Sequence, residues 1–255
     1  MDVFNSISPI DYRYWDKGVA KYLSEDAFTQ YKLRVELALV KTLFDCGICS
    51  EEVVKEVETA CQQVTTAEVY AEEARIHHDI RALVNCICAK VSEATKPYVH
   101  MTATSYDIID SANALRYREA VCELLVPSLI DLEGVLIRIA LQEADTLQIG
   151  RTHGQHAVPI TFGFALAGYI SRLGHCIERL DDLAWRLPGK FSGAVGAYNA
   201  SALFFKEPEK FEEMVLSKLN LQPAESSTQI VPPESLTRLF SEVIITAGVL
   251  ANLAD

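Results

Sequence analysis

The sequence predicts an all-α chain, with a small helical domain over residues 1–104 and a bundle of long helices over 105–255. Two observations carry this. Apolar residues recur at alternating spacings of four and three in three long stretches. Strand-like alternation is scarce, and only residues 191–198 and 228–231 read as short extended pieces.

The elements follow in order. Ser24 is placed to cap a helix running to about Cys46, with Phe28, Tyr31, Val35 and Leu39 on one face and Gly47 as the stop. A shorter helix follows Ser50, another covers roughly residues 67–92, and Lys96-Pro97 breaks the pattern. Beyond residue 105 the seams are Leu125, Leu129, Leu132, Leu136 and Ile139, then Phe162, Leu166, Tyr169, Leu173, Cys176, Leu180, Leu183 and Leu187. Leu236, Phe240, Val243, Ala247 and Leu250 begin a third. Such seams let long helices pack at shallow angles. The last one stops at Ala254-Asp255 without a cap or turn signal, which suggests a fragment or a chain completed by others.

Composition narrows the function. The chain has 255 residues, 49% hydrophobic and 23% charged, with a net charge of −12. That acidity argues against nucleic-acid binding, which needs a basic face, but leaves room for a nucleotide held by a few converging cations. No apolar run of bilayer-spanning length and no basic, apolar leader is evident, so the expectation is a cytoplasmic protein without membrane contact. Seven cysteines scattered through helical sequence read as thiols rather than a disulfide framework. Cys46-x-x-Cys49 has the spacing of half a zinc site, but the one-residue spacing of Cys86-x-Cys88 is poor for the other half and both pairs sit in apolar helical surroundings, so no metal is expected.

Polar residues concentrate in the breaks between helices. Asp11-Tyr12-Arg13-Tyr14 is a solvated arm or part of a site. Arg75-Ile76-His77-His78-Asp79 offers two histidines that on a helix would point in different directions, with Asp79 available to orient or charge an imidazole. His100-Met101-Thr102-Ala103-Thr104-Ser105-Tyr106-Asp107 opens a long helix, where hydroxyls cap and free N–H groups can also hold an anion. GRTHGQHA, residues 150–157, packs Arg151, Thr152, His153, Gln155 and His156 between two long helices, a density of donors suited to anion handling or proton transfer. SGAVGAY (192–198) and STQIV (227–231) are further glycine-bearing or polar breaks.

Together these segments resemble the aspartase/fumarase superfamily, and within it most closely the adenylosuccinate lyase family. GRTHGQHA resembles that family's central loop, His78-Asp79 its HD element, and Thr104-Ser105-x-Asp107 its TSxD element. SGAVGAY, STQIV and the start SPIDYRY match in order. The resemblance implies the family's long-helix bundle, a homotetramer, and elimination of fumarate from a succinylated purine nucleotide or imidazole-carboxamide ribotide by acid–base chemistry that needs no cofactor. It implies His153 as general acid and His78 as a catalytic histidine assisting substrate binding. Arg13 and Tyr14 would hold the phosphate end, and Asp79, His100, Thr104, Ser105, Thr152 and Gln229 the substrate, chiefly its succinyl or fumarate portion. The family's SSxMPxKxNP loop, which supplies a serine base and a lysine, does not occur within residues 1–255, so the chain alone is expected to be inactive. Val231-Pro232-Pro233-Glu234-Ser235 also departs from the charged segment usual after TQI. Argininosuccinate lyase or another superfamily lyase, or a non-catalytic truncated helical module, are the alternatives.

Overall fold

The computed structural model describes residues 3–7 and 14–254. Its helices are α1 (Lys17–Leu23), α2 (Glu25–Asp45), α3 (Glu51–Gln63), α4 (Thr66–Ile76), α5 (Asp79–Cys88), α6 (Ser105–Ala120), α7 (Val126–Gln142), α8 (Phe162–Trp185), α9 (Pro208–Ser217) and α10 (Glu234–Ala254). Strands β1 (Leu147–Thr152) and β2 (Gln155–Thr161) form one antiparallel hairpin. The predicted all-α class holds, with that hairpin as the addition.

By packing, the described residues fall into two compact units. The first comprises residues up to 120 together with 186–233. Its centre is α2, whose Val35, Leu39, Val40 and Leu43 are fully buried and which packs on α3, α6 and α9. Ser24 caps α2 by accepting from Ala27 N–H, and Gly47 stops it at φ +71°, as predicted. A capping box at Thr65 and Glu68 starts α4. The second unit comprises residues 121–185 and 234–255, in which α7 and α10 both pack on α8. The expected boundary at 104/105 therefore differs from the packing, because α6 lies against α2 and belongs with the helices before it.

Four local expectations are corrected. The single helix over residues 67–92 is two helices, broken where His77 takes the left-handed conformation at φ 58°. Residues 191–198 and 228–231 form no strand; the hairpin lies instead around the GRTHGQHA segment, where the sequence predicts a loop between two long helices. The buried residues of α10 are Leu239, Thr246 and Val249, rotated from the predicted seam, while Phe240 of that seam is exposed. Finally, α10 is long and apolar enough to cross a bilayer, with a mean hydropathy of 1.4, contrary to the expectation that no such run exists. Length and composition alone do not make a span, and this helix is engaged with α8. Tyr169 Oη donates to the Asn252 carbonyl at 3.1 Å, and Arg172 donates to Asn252 Oδ1 at 2.9 Å.

Candidate active-site segments

In the first unit, the TSxD, SGAVGAY and STQIV segments converge on α6. Asp107, on the first turn of α6, is wholly buried and uses both carboxylate oxygens. Oδ2 accepts Thr104 N–H at 2.9 Å, which fixes the residues carrying the Thr104 and Ser105 hydroxyls. Oδ1 accepts from Lys190 Nζ at 2.5 Å and from Gly193 N–H at 3.2 Å. Lys190 Nζ donates a second bond to the Gly193 carbonyl at 2.6 Å, and Ser111 Oγ is bonded to the Lys190 backbone at both N–H and C=O. A buried ion pair is tolerable only when its remaining valences are filled in this way.

One turn along α6, Asp110 accepts Val231 N–H at 2.7 Å and so anchors the loop bearing Gln229. Burial pushes the Asp110 carboxyl above the usual carboxylate range, partly offset by that bond and by Lys190. Ser192 Oγ and Ser227 Oγ, 2.7 Å apart, tie the two loops together. Gly196, at φ +74°, is required there: a Cβ on it would stand 2.1 Å from the Ser227 carbonyl oxygen. Glu212 completes the scaffold, accepting from Phe191 N–H at 2.6 Å and Tyr198 Oη at 2.5 Å, its carboxyl also pushed up by burial.

The HD element lies at the α4–α5 break. His78 caps α5, its Nδ1 accepting Arg81 N–H at 3.3 Å. That contact leaves the neutral ring's proton on Nε2, exposed to solvent. Asp79 Oδ1 is 3.5 Å from the same Nδ1, so Arg81 N–H, rather than Asp79, supplies the orienting hydrogen bond. His100 is held differently: its Nδ1 lies 2.6 Å from Oε1 of the buried Glu36 on α2. Burial draws the His100 imidazole down, but the charge and hydrogen bond of Glu36 outweigh it and leave the group raised above the ordinary histidine value.

Among the described residues, no hydrogen-bond partner engages the hydroxyls of Thr104 and Ser105 or the amide of Gln229, which leaves these groups available to a ligand. Tyr14 is 84% exposed, and Arg13 lies outside the described residues.

In the second unit, His153 and Gly154 form a two-residue turn closed by the Thr152–Gln155 pair, with φ of 54° and 70°. Positive φ at both central residues is the type I′ pattern, which matches the twist of a hairpin. His153 is thereby displayed at the exposed tip, one residue from Thr152. The strands shift register between Ile149 and Arg151, and a Cβ at the intervening Gly150 would approach the Val158 carbonyl at 2.9 Å.

The structure thus gathers Thr104, Ser105 and Gln229 on one scaffold with His78, Asp79 and His100 in the same unit, and places Thr152 and His153 in the other. Glu36, Lys190 and Asp110 were not picked out from sequence. A signal existed for two of them: Glu36 interrupts the apolar run Val35-Glu36-Leu37-Ala38-Leu39-Val40, and Lys190 stands between Gly189 and Phe191.

The adenylosuccinate lyase of Archaeoglobus fulgidus is 39% identical over 250 residues, covering 97% of this chain and 54% of that protein. That of Pyrococcus horikoshii is 38% identical over 253 residues, covering 98% and 54%. Among solved structures, a fumarate lyase from Mesorhizobium sp. BNC1 superposes with a TM-score of 0.85 at 25% identity, over 96% of this chain and 58% of that one. The 3-carboxy-cis,cis-muconate lactonizing enzyme of Pseudomonas putida gives 0.81 at 28% identity, over 93% and 54%. The chain spans about half the length of the curated relatives it matches. The lyase family profile matches residues 3–255, essentially the whole sequence, and the chain belongs to that lyase family.

Proposed function

We propose that the chain is part of a cytoplasmic, homotetrameric adenylosuccinate lyase of purine nucleotide biosynthesis. The observation that carries this is similarity along nearly the whole chain, up to 39% identity, to proteins bearing that name. The substrate is a purine nucleotide or its imidazole-carboxamide precursor with a succinyl group on nitrogen. A base takes the proton from the carbon beside a succinyl carboxylate, and negative charge gathers on that carboxylate. The bond from the neighbouring carbon to nitrogen then breaks, the nitrogen receives a proton, and fumarate leaves.

His153 supplies the proton to nitrogen. Its display at an I′ turn supports this role, because a solvent-facing imidazole is free to meet a ligand. Thr104, Ser105, Thr152 and Gln229 hold the succinyl portion, with hydroxyl and amide donors aimed at charge that grows in the transition state. His78 and Asp79 contact the substrate from the α4–α5 break, and Arg13 and Tyr14 take its phosphate. The base belongs to the SSxMPxKxNP segment, so residues 1–255 alone do not turn over.

The likeness to the fumarate lyase and the muconate lactonizing enzyme keeps one second reading in view, another lyase of the same superfamily. The protein extended through the signature loop is offered adenylosuccinate, the imidazole-carboxamide analogue and argininosuccinate while fumarate absorbance is followed. Release from the first two and not the third supports the reading. Release only from argininosuccinate, or none, refutes it.

A further inference from the structure

Glu36 is a carboxylate with no exposed surface in the middle of α2, the most buried helix of its unit. Among the described residues no Lys or Arg pairs with it; its partner is His100 Nδ1 at 2.6 Å, and its other oxygen, Oε2, is buried without a partner. Thr102 Oγ1, two residues after His100, is the other buried side-chain oxygen without a partner among the described residues. The same short segment is strained: His100 and Thr102 take φ of 59° and 67°, a region that non-glycine residues enter at a cost. Strain and unfilled polar valences concentrated in one turn, immediately before Thr104 and Ser105, are features that folding alone does not favour.

A buried carboxylate that meets one imidazole and nothing else needs that imidazole to carry the compensating charge. The groups around His100 agree. Glu36 from α2 and Asp107 from α6 favour its cationic form, and Arg81 from α5 opposes it. Asp107 is already neutralised by Lys190. Near Glu36, the Cys61 thiol is pushed up to about 12 by burial and by the charge of Glu36, so it stays neutral and offers no competing anion.

We propose that Glu36 is a positioning residue. It holds His100 Nδ1–H and keeps the ring cationic, so that Nε2–H is presented to a carboxylate of the succinyl or fumarate portion of the substrate. His100 then acts as a fixed anion-binding group rather than as the proton donor, which separates it from His153. The identity of the bound carboxylate rests on the lyase reading above; the Glu36–His100 relationship does not.

The test is Glu36→Gln, which keeps the shape and an acceptor but removes the charge. The ring signals of His100 are titrated by NMR, and fumarate binding is measured by calorimetry across pH on the full-length protein. In the wild type, fumarate affinity falls as pH rises through the raised His100 titration. In Glu36→Gln that titration moves to lower pH, the fall in affinity moves with it, and at neutral pH binding weakens about ten-fold, as for loss of a charged hydrogen bond. If Glu36→Gln does not fold, His100→Gln takes its place and should lose the same pH dependence of binding. An unchanged His100 titration in folded Glu36→Gln, or unchanged fumarate affinity in either variant, overturns the proposal. Failure of the lyase reading shows separately, as no fumarate release from adenylosuccinate by the wild type.

Discussion

Lys190 and Asp107 form an ion pair with no exposed surface, Nζ lying 2.5 Å from Oδ1, and that pair joins the start of α6 to the loop at Gly193. Removing one partner strands a buried charge. Lys190→Met is therefore expected to cost about 3–5 kcal/mol of unfolding free energy. Adding Asp107→Asn should recover part of that, because the stranded charge is then gone. Denaturant melts of the two singles and the double complete the cycle. Additive losses would mean that the pair is not coupled.

The turn at His153 and Gly154 separates chemistry from fold. His153→Asn should preserve the hairpin, since Asn tolerates positive φ well and favours I′ turns. In the protein carrying its signature loop the same change should reduce turnover by about 10²–10⁴-fold, the usual cost of a lost general acid. Thermal stability close to wild type with that loss is the expected result. Near-normal turnover would remove His153 from the acid role.

Asp110 makes the stability of the first unit depend on pH. Its folded carboxyl is raised above the unfolded value, mainly by burial, so the folded state binds more protons than the unfolded one between the two values. The stability it contributes is greatest at low pH and declines as pH rises through that window. Asp110→Asn retains an acceptor for Val231 N–H and removes the titration. Melting points taken across the carboxylate range should show the decline in wild type and its reduction in the variant. The same slope in both would assign it to other groups.

Much of the helical plan was legible because local chemistry and tertiary packing agree. Ser24 caps α2 through its hydroxyl and Gly47, free of a Cβ, stops it at positive φ; the seams of α7 and α8 bury Leu129, Leu136, Leu166, Leu173 and Leu180, while Ile139 and Phe162 of the same seams stay exposed. Where a local signal was overridden, the reading failed. His77-His78 has no helix-breaking composition, yet His77 takes the left-handed conformation and His78 caps a new helix. The hairpin was hidden because His-Gly is a weak turn signal beside Asn-Gly, and because β2 is exposed along most of its length and so carries no alternating apolar pattern. The segments of the candidate site were visible as polar breaks, but their supports were not. Glu36, Lys190 and Asp110 act across 64, 83 and 121 residues of sequence, a separation that spacing cannot reveal.

The second unit carries the argument for assembly. Its helices bury one face against each other, yet Ile130, Ile137 and Leu141 on α7, Phe164 on α8, and Ile244 and Ile245 on α10 remain exposed, Leu141 at 73% and Ile244 at 71%. Exposed apolar residues scattered singly are ordinary, whereas six large ones spread over three packed helices amount to a surface that water does not favour. A second copy of the chain presents the same residues, and closed symmetry lets identical apolar surfaces bury one another. We therefore expect the 255-residue chain to self-associate, with the tetramer reached by the full-length protein. Light scattering on the 255-residue chain should give a mass above one protomer at micromolar concentration. Leu141→Glu and Ile244→Lys, both on exposed side chains, should shift that mass toward the monomer while leaving helical content unchanged. A well-behaved monomer in the wild type, or association that neither substitution weakens, would show that these faces are not the interface.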